Sequence, residues 1–197
     1  SNDFFLKKES QGYAIYHQDE KLGSFQLKVP GEHNALNALA AFVVSYKTGI
    51  SAAKCIDGLH KFQGVDRRFQ RLGARNGIEI YDDYGHHPTE VRAVLQAFKE
   101  KYPDRRLVVY FQPHRYSRTQ HSWHDFTTCF AQADRVLLTD IYAAGENPVP
   151  GITSERLAAD VKHAAVEYLP KGDGVAARLK SLLKSGDVFL TLGAGDG

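Results

Sequence analysis

The chain has 197 residues, 43% of them hydrophobic and 24% charged, with 25 Lys and Arg against 23 Asp and Glu. That mix suits an ordinary globular protein and excludes a disordered tail, a collagen and a coiled coil. A formal charge of +2 is too balanced to argue for nucleic acid or an acidic membrane surface as a partner. The cleanest apolar run, Leu107–Phe111, falls far short of the roughly 20 residues that cross a membrane. Cys55 and Cys129 lie far apart and form no CxxC pair, which suggests a reduced, cytosolic setting. The opening Ser1-Asn2-Asp3 has no secretion pattern, and there is no methionine at all. The expectation is a piece of a longer protein, with Ser1-Asn2 a tag remnant.

Two extended runs, Gly12–His17 and Ser24–Val29, joined by the polar stretch Gln18–Gly23, predict a hairpin. Pro30-Gly31 breaks the chain. Apolar residues at Leu36, Leu39, Ala40, Val43 and Val44 then predict a helix over Asn34–Tyr46, with Asn34 as its N-cap. Ser51 caps a second helix reaching about Phe62. The pattern changes after Leu72, so one block is expected over residues 1–72 and a second over 73–197.

From Ile78 the chain alternates. Strands are predicted at Ile78–Asp82, Arg106–Phe111, Arg135–Thr139, Val166–Leu169 and Asp187–Leu192. Helices are predicted at Glu90–Lys101 (with Pro88 at its start), Gln120–Ala131, Ser154–His163 and Val175–Leu183. Such alternation is the mark of an α/β fold with a mostly parallel sheet and flanking helices. The chain stops where another helix is expected, which suggests truncation at this end too.

In an open parallel sheet, ligands bind beyond the carboxyl ends of the strands. The chemically loaded residues fall there: Asp82–Pro88, Gln112–Thr119, Asp140–Glu146 and Gly193–Gly197. Each has a plain reading beside it. Asp82-Asp83 either cap the helix near Pro88 or point one carboxylate at the crevice. His86 and His87 are adjacent, a poor spacing for a shared metal, and His121 with His124 read as a solvated helix face. No metal site is expected. Arg115 and Arg118, beside Gln112 and His114, suit a carboxylate or phosphate grip. Gly193-Ala194-Gly195 reads equally as a phosphate turn or a tight turn. Asn37, a second asparagine at a helix start, suits hydrogen bonding to a base edge. Arg67-Arg68 lies at the block junction, where a cation reaches a phosphate.

Six strings occur in order: VPGEHNALNALAA (29–41), GVDRRFQRLG (64–73), YDDYGHHPTEV (81–91), FQPHRYSRT (111–119), IYAAGENPVPG (141–151) and LGAGDG (192–197). Together they resemble the Mur ligases, and within them the alanine-adding branch. The resemblance implies a Rossmann-like C-terminal domain preceded by the tail of a central P-loop ATPase domain. It implies an ATP-dependent amide-forming ligase of peptidoglycan synthesis, in the cytoplasm. ATP would convert the carboxylate of UDP-N-acetylmuramate to an acyl phosphate, which the amine of L-alanine attacks. By position, His33, Asn34 and Asn37 match the adenine side, Arg68 the ATP phosphates and Asp83 the nucleotide. Tyr84, His86, Arg115 and Arg118 match the alanine site. Arg68 would steady the spread negative charge, and His86 is the candidate base for the amine. No G-x-x-x-x-G-K-[ST] string occurs. The P-loop, the Mg2+ ligands and the UDP-sugar domain would thus lie in N-terminal parts outside this chain, and the chain alone would be inactive. Two alternatives stand: a murein tripeptide-recycling ligase, against which FQPHRYSRT argues, and a non-catalytic nucleotide- or anion-binding module.

Overall fold

A computed structural model describes residues 4–195. The end of LGAGDG, Asp196-Gly197, lies outside the described residues. The chain divides into two compact units, Ser1–Gly64 and Val65–Gly197.

The first unit is a three-stranded meander with two helices: β1 (Phe4–Glu9), β2 (Gly12–His17), β3 (Glu20–Phe25), α1 (Glu32–Lys47) and α2 (Ala52–Lys61). The expected hairpin is present, but its turn is only Gln18-Asp19, with Gln18 at φ +54°. Its second strand therefore starts at Glu20, earlier than expected. Strand β1 was not foreseen, because Lys7-Lys8-Glu9 breaks its apolar alternation. Ile15, Phe25, Ala38, Phe42 and Cys55 form the core. Helix α1 begins at Glu32 after Gly31, so Asn34 is not its N-cap. The Asn34 amide instead donates to the Pro30 carbonyl at 2.7 Å. Ser51 holds the N-cap position of α2 without a side-chain hydrogen bond.

The second unit carries a six-stranded sheet. In chain order its strands are β4 (Gln70–Arg75), β5 (Ile78–Asp83), β6 (Leu107–Phe111), β7 (Arg135–Leu138), β8 (Val166–Tyr168) and β9 (Val188–Leu192). The spatial order is β4-β5-β9-β6-β7-β8, parallel throughout except for the antiparallel pair β4–β5. The alternation after Ile78 thus gives the sheet expected. Strand β4 was not foreseen; Arg71 and Arg75 hide it among polar residues. It draws Val65–Leu72 into this unit, so the units part earlier than the boundary expected after Leu72. Phe69 secures the attachment, stacking on Phe98 at 3.9 Å and meeting Tyr81 edge-on at 5.3 Å.

Helix α3 (Pro88–Lys101), the short α4 (Tyr116–His121) and α5 (Trp123–Phe126), α6 (Ser154–Asp160) and α7 (Gly174–Leu182) complete the unit. One sheet face packs Tyr81, Val109, Phe111, Leu138 and Leu190 against Leu95 and Phe98 of α3, Phe126 and Leu157. The other packs Val108, Tyr110, Leu137 and Phe189 against Leu182, with Val175 and Leu179 half-buried beside it. Each fully buried Leu or Phe contributes about 1.5–3 kcal/mol of transfer energy. The single helix expected over Gln120–Ala131 is instead two short ones parted at Ser122. Thr127, which closes the second, turns its hydroxyl back onto the His124 carbonyl at 2.7 Å, a bond that competes with helix propagation. His121 and His124 are exposed and belong to different helices. Among the described residues no helix is long and apolar enough to cross a membrane.

Candidate functional site

Four loops leave the carboxyl ends of β5, β9, β6 and β7, and hydrogen bonds past the strand ends bind them together. Gly193 N–H donates to Asp83 O at 3.0 Å, and Gln112 N–H to Leu192 O at 2.9 Å. Arg115 N–H donates to Tyr142 O, and Tyr142 N–H to Pro113 O, both at 2.8 Å. The strand alternation sends the two aspartates to opposite faces. Asp82 accepts from Arg67 Nε at 2.9 Å and from the Thr191 hydroxyl at 2.6 Å.

Asp83 is engaged with the backbone on both sides of its strand end. It is 3% exposed, and its oxygens accept Phe69 N–H at 2.7 Å and Gly85 N–H at 2.8 Å. It ties the segment carrying Arg67-Arg68 to the loop carrying His86. Neither aspartate caps α3. There Glu90 accepts the His86 and His87 amides at 3.0 and 3.1 Å, while His87 Nδ1 accepts Thr89 N–H. This is a capping box with His in the Ser/Thr position.

The residues matched to an alanine site by the resemblance gather. Tyr84 is flanked by the Arg67 and Arg68 guanidiniums, 5.3 and 5.5 Å from its ring, and His86 meets it edge-on at 5.3 Å. The His86 ring lies 5.3 Å from that of His114, which stacks on Tyr142 at 5.6 Å. Arg118 Nη1 lies 2.9 Å from His114 Nδ1. Arg115 is exposed at the start of α4 with φ +69°, an uncommon conformation for a side chain of its size. Thus Arg68, Tyr84, His86, Arg115 and Arg118 all belong to the second unit. His33 and Asn34, both half-buried, and the exposed Asn37 belong to α1 of the first. Sequence reasoning used Gln112 and His114 only as company for the arginines and Tyr142 only as part of its loop, and gave none of the three a role of its own.

The hydrogen bonds fix both tautomers. A carbonyl only accepts, so His86 Nδ1, 3.0 Å from Tyr84 O, carries the proton and Nε2 keeps its lone pair. A guanidinium only donates, so His114 Nδ1 accepts and its proton sits on Nε2. Burial holds the His86 imidazole below the usual histidine value. The Arg118 and Arg68 charges add to this, while the Tyr84 carbonyl and Glu90 oppose it. Burial also lowers His114, aided by Arg118, His86 and Arg115. Both rings are therefore neutral near pH 7, beside two arginines. Such a rim grips a carboxylate and offers a lone pair to an amine.

These depressed values carry a stability consequence. The folded unit binds the two protons more weakly than the unfolded chain. Its stability is whole above the unfolded histidine value, about 6.5, and falls as pH drops below it. Urea midpoints at about pH 7.5 and 5.5 should show this loss, and the double variant His86→Gln with His114→Gln should flatten it. An equal slope in the double variant would refute the assignment.

Among the described residues no three His, Cys, Asp or Glu side chains gather to hold a metal ion. The family described as Mur ligase, glutamate ligase domain, matches residues 67–195. The chain is similar, at 58% identity over its whole length, to the UDP-N-acetylmuramate–L-alanine ligase of Bdellovibrio bacteriovorus, covering 45% of that protein. It is 47% identical over 95% of its length to the same-named ligase of Nitratidesulfovibrio vulgaris, covering 42%. The chain thus spans less than half the length of these curated relatives. The crystal structure of the UDP-N-acetylmuramate-alanine ligase of Thermotoga maritima matches with a TM-score of 0.75 and 28% identity, over 98% of this chain and 43% of that one. A murein peptide ligase from Psychrobacter arcticus shares the fold, with a TM-score of 0.69 at 23% identity, over 98% and 41%.

Proposed function

The chain belongs to the Mur ligase family, and from that premise we propose that it is part of an ATP-dependent ligase of peptidoglycan synthesis. The complete protein joins L-alanine to the carboxylate of UDP-N-acetylmuramate through an acyl phosphate. The observation that carries this reading is the joint presence of Arg115, Arg118 and two neutral imidazoles on one rim. The relatives named for this activity support it.

Arg115 and Arg118 hold the acceptor carboxylate. His86 Nε2 takes the proton that the ammonium must lose before its nitrogen attacks. Arg68, held over Tyr84, steadies charge on the transferring phosphate. In the first unit, His33, Asn34 and Asn37 take the adenine side of ATP. That unit is the tail of the central ATP-binding domain, and the second is the amino-acid-binding domain. The ATP phosphates fall to Arg68 and the nucleotide's sugar side to Asp83, while Arg67 is held by Asp82 and the Gly193 carbonyl. Mg2+ is assigned to ligands in the remaining domains of the same protein. The two cysteines, both free thiols, accord with the cytoplasm.

The test is ADP release by the longest reading frame containing this sequence. UDP-N-acetylmuramate would be supplied with L-alanine, glycine, L-serine or the tripeptide L-Ala-γ-D-Glu-diaminopimelate. Alanine-dependent ADP from the long form, and none from the 197-residue chain, is the expected result. Preference for the tripeptide would make it a recycling ligase, and no stimulation by any acceptor would make it a binding module. In the active protein, Arg115→Ala should raise the alanine KM about 10–100-fold and leave the ATP KM unchanged. An unchanged alanine KM would remove Arg115 from the clamp.

A further inference from the structure

Gln112 follows directly on β6 and is 2% exposed. Its Oε1 and Nε2 are both buried, and neither has a hydrogen-bond partner. Folded proteins seldom leave a primary amide so, because nothing offsets its desolvation.

The Gly193–Gly195 main chain lies directly on this amide. A Cβ on Gly195 would stand 2.1 Å from Gln112 Oε1 and 2.9 Å from Tyr142 Cγ. One on Gly193 would stand 2.8 Å from the Gln112 carbonyl oxygen. Only glycine permits so near an approach. The loop is fastened at its root, where Gly193 N–H donates to Asp83 and Gly193 O accepts from Arg67 Nη2 at 2.6 Å. Beyond the root, main chain and side-chain amide are pressed together without being joined. From Gly195 the contact runs to Tyr142, which stacks on His114, the partner of Arg118. Gln112 and Tyr142 also line a cleft of about 410 Å³ with Asp140 and Ala143–Gly145.

We infer that the Gln112 amide is the seat of a second setting of the Gly193–Gly195 loop, reached when the crevice is filled. Gln112 is then a positioning residue that acts through this loop on the His114–Arg118 pair. In the resting setting the unsatisfied amide disfavours the loop. In the filled setting the amide and the main chain satisfy each other, and the ligand draws the population across. The inference rests on the ligase reading only for the ligand's identity.

The test uses the full-length protein with Gln112→Leu, close to it in volume, and Gln112→Met should the first variant not fold. Hydrogen exchange at Gly193–Gly195 is followed without ligand. Removing the amide relieves the resting loop, so exchange there should slow by about tenfold. Unchanged or faster exchange overturns the inference. In turnover, the alanine KM should rise about tenfold while kcat and the ATP KM stay near wild type. A merely structural role would not give that split, and an unchanged alanine KM in an active protein also overturns the inference. If the wild type shows no alanine-dependent ADP release, the ligase reading fails by itself, and the ligand-free exchange still decides on Gln112.

Discussion

Arg118→Ala should lower kcat/KM for the amino-acid acceptor on the order of a hundredfold while leaving the unit folded. The side chain is half-buried and performs two tasks with one charge. In the proposed site it binds the acceptor carboxylate together with Arg115, and in the structure it donates to His114 Nδ1 at 2.9 Å. It also depresses both imidazoles, so its loss lets His86 and His114 titrate closer to the usual histidine value. The acid limb of the rate profile should therefore move to higher pH, because protonation of His86 removes the lone pair at an earlier point on acidification. Lysine at the position restores the charge but not the planar fork, so Arg118→Lys should recover only part of the loss. Steady-state rates across alanine concentration and pH read both effects. A variant with wild-type kcat/KM and an unmoved acid limb would end the clamp assignment.

Asp83→Ala should destabilise the second unit by about 3 kcal/mol, since it leaves the buried Phe69 and Gly85 amides without an acceptor. Asn at this position keeps one acceptor oxygen and should cost less. Urea denaturation of the chain reads the loss. The family resemblance points to another result: an unchanged midpoint and a raised ATP KM. Measuring the midpoint and the ATP KM on the same variant separates a backbone tie from a nucleotide contact.

The parallel sheet was legible because β6 is an unbroken apolar run, and a strand buried on both faces needs one. Placement of the loaded residues at strand ends followed from topology alone. Strand β4 was not legible. Its residues satisfy a single neighbour at the sheet edge, so no hydrophobic period marks it. The backbone ties of Asp83 were not legible because the string YDDYGHHPTEV names residue types but not which way each faces. The backbone donors that occupy Asp83 include Phe69, far off in sequence. Tyr142 was passed over for a like reason. Its part depends on meeting His114 across two loops, and no spacing records such a meeting.

The sheet has two borders, and both resist further pairing. At one, β4 bears a register shift between Arg71 and Gly73, with Arg71 bonded across the pair to Glu79 at 2.7 Å. At the other, β8 is only three residues long, and its Glu167 is held by Arg178 at 2.6 Å and Arg135 at 3.4 Å. A bulge, guanidinium groups and brevity are what keep an open border from recruiting a stranger's backbone. The second unit therefore has little means of extending sideways into a ribbon of like molecules.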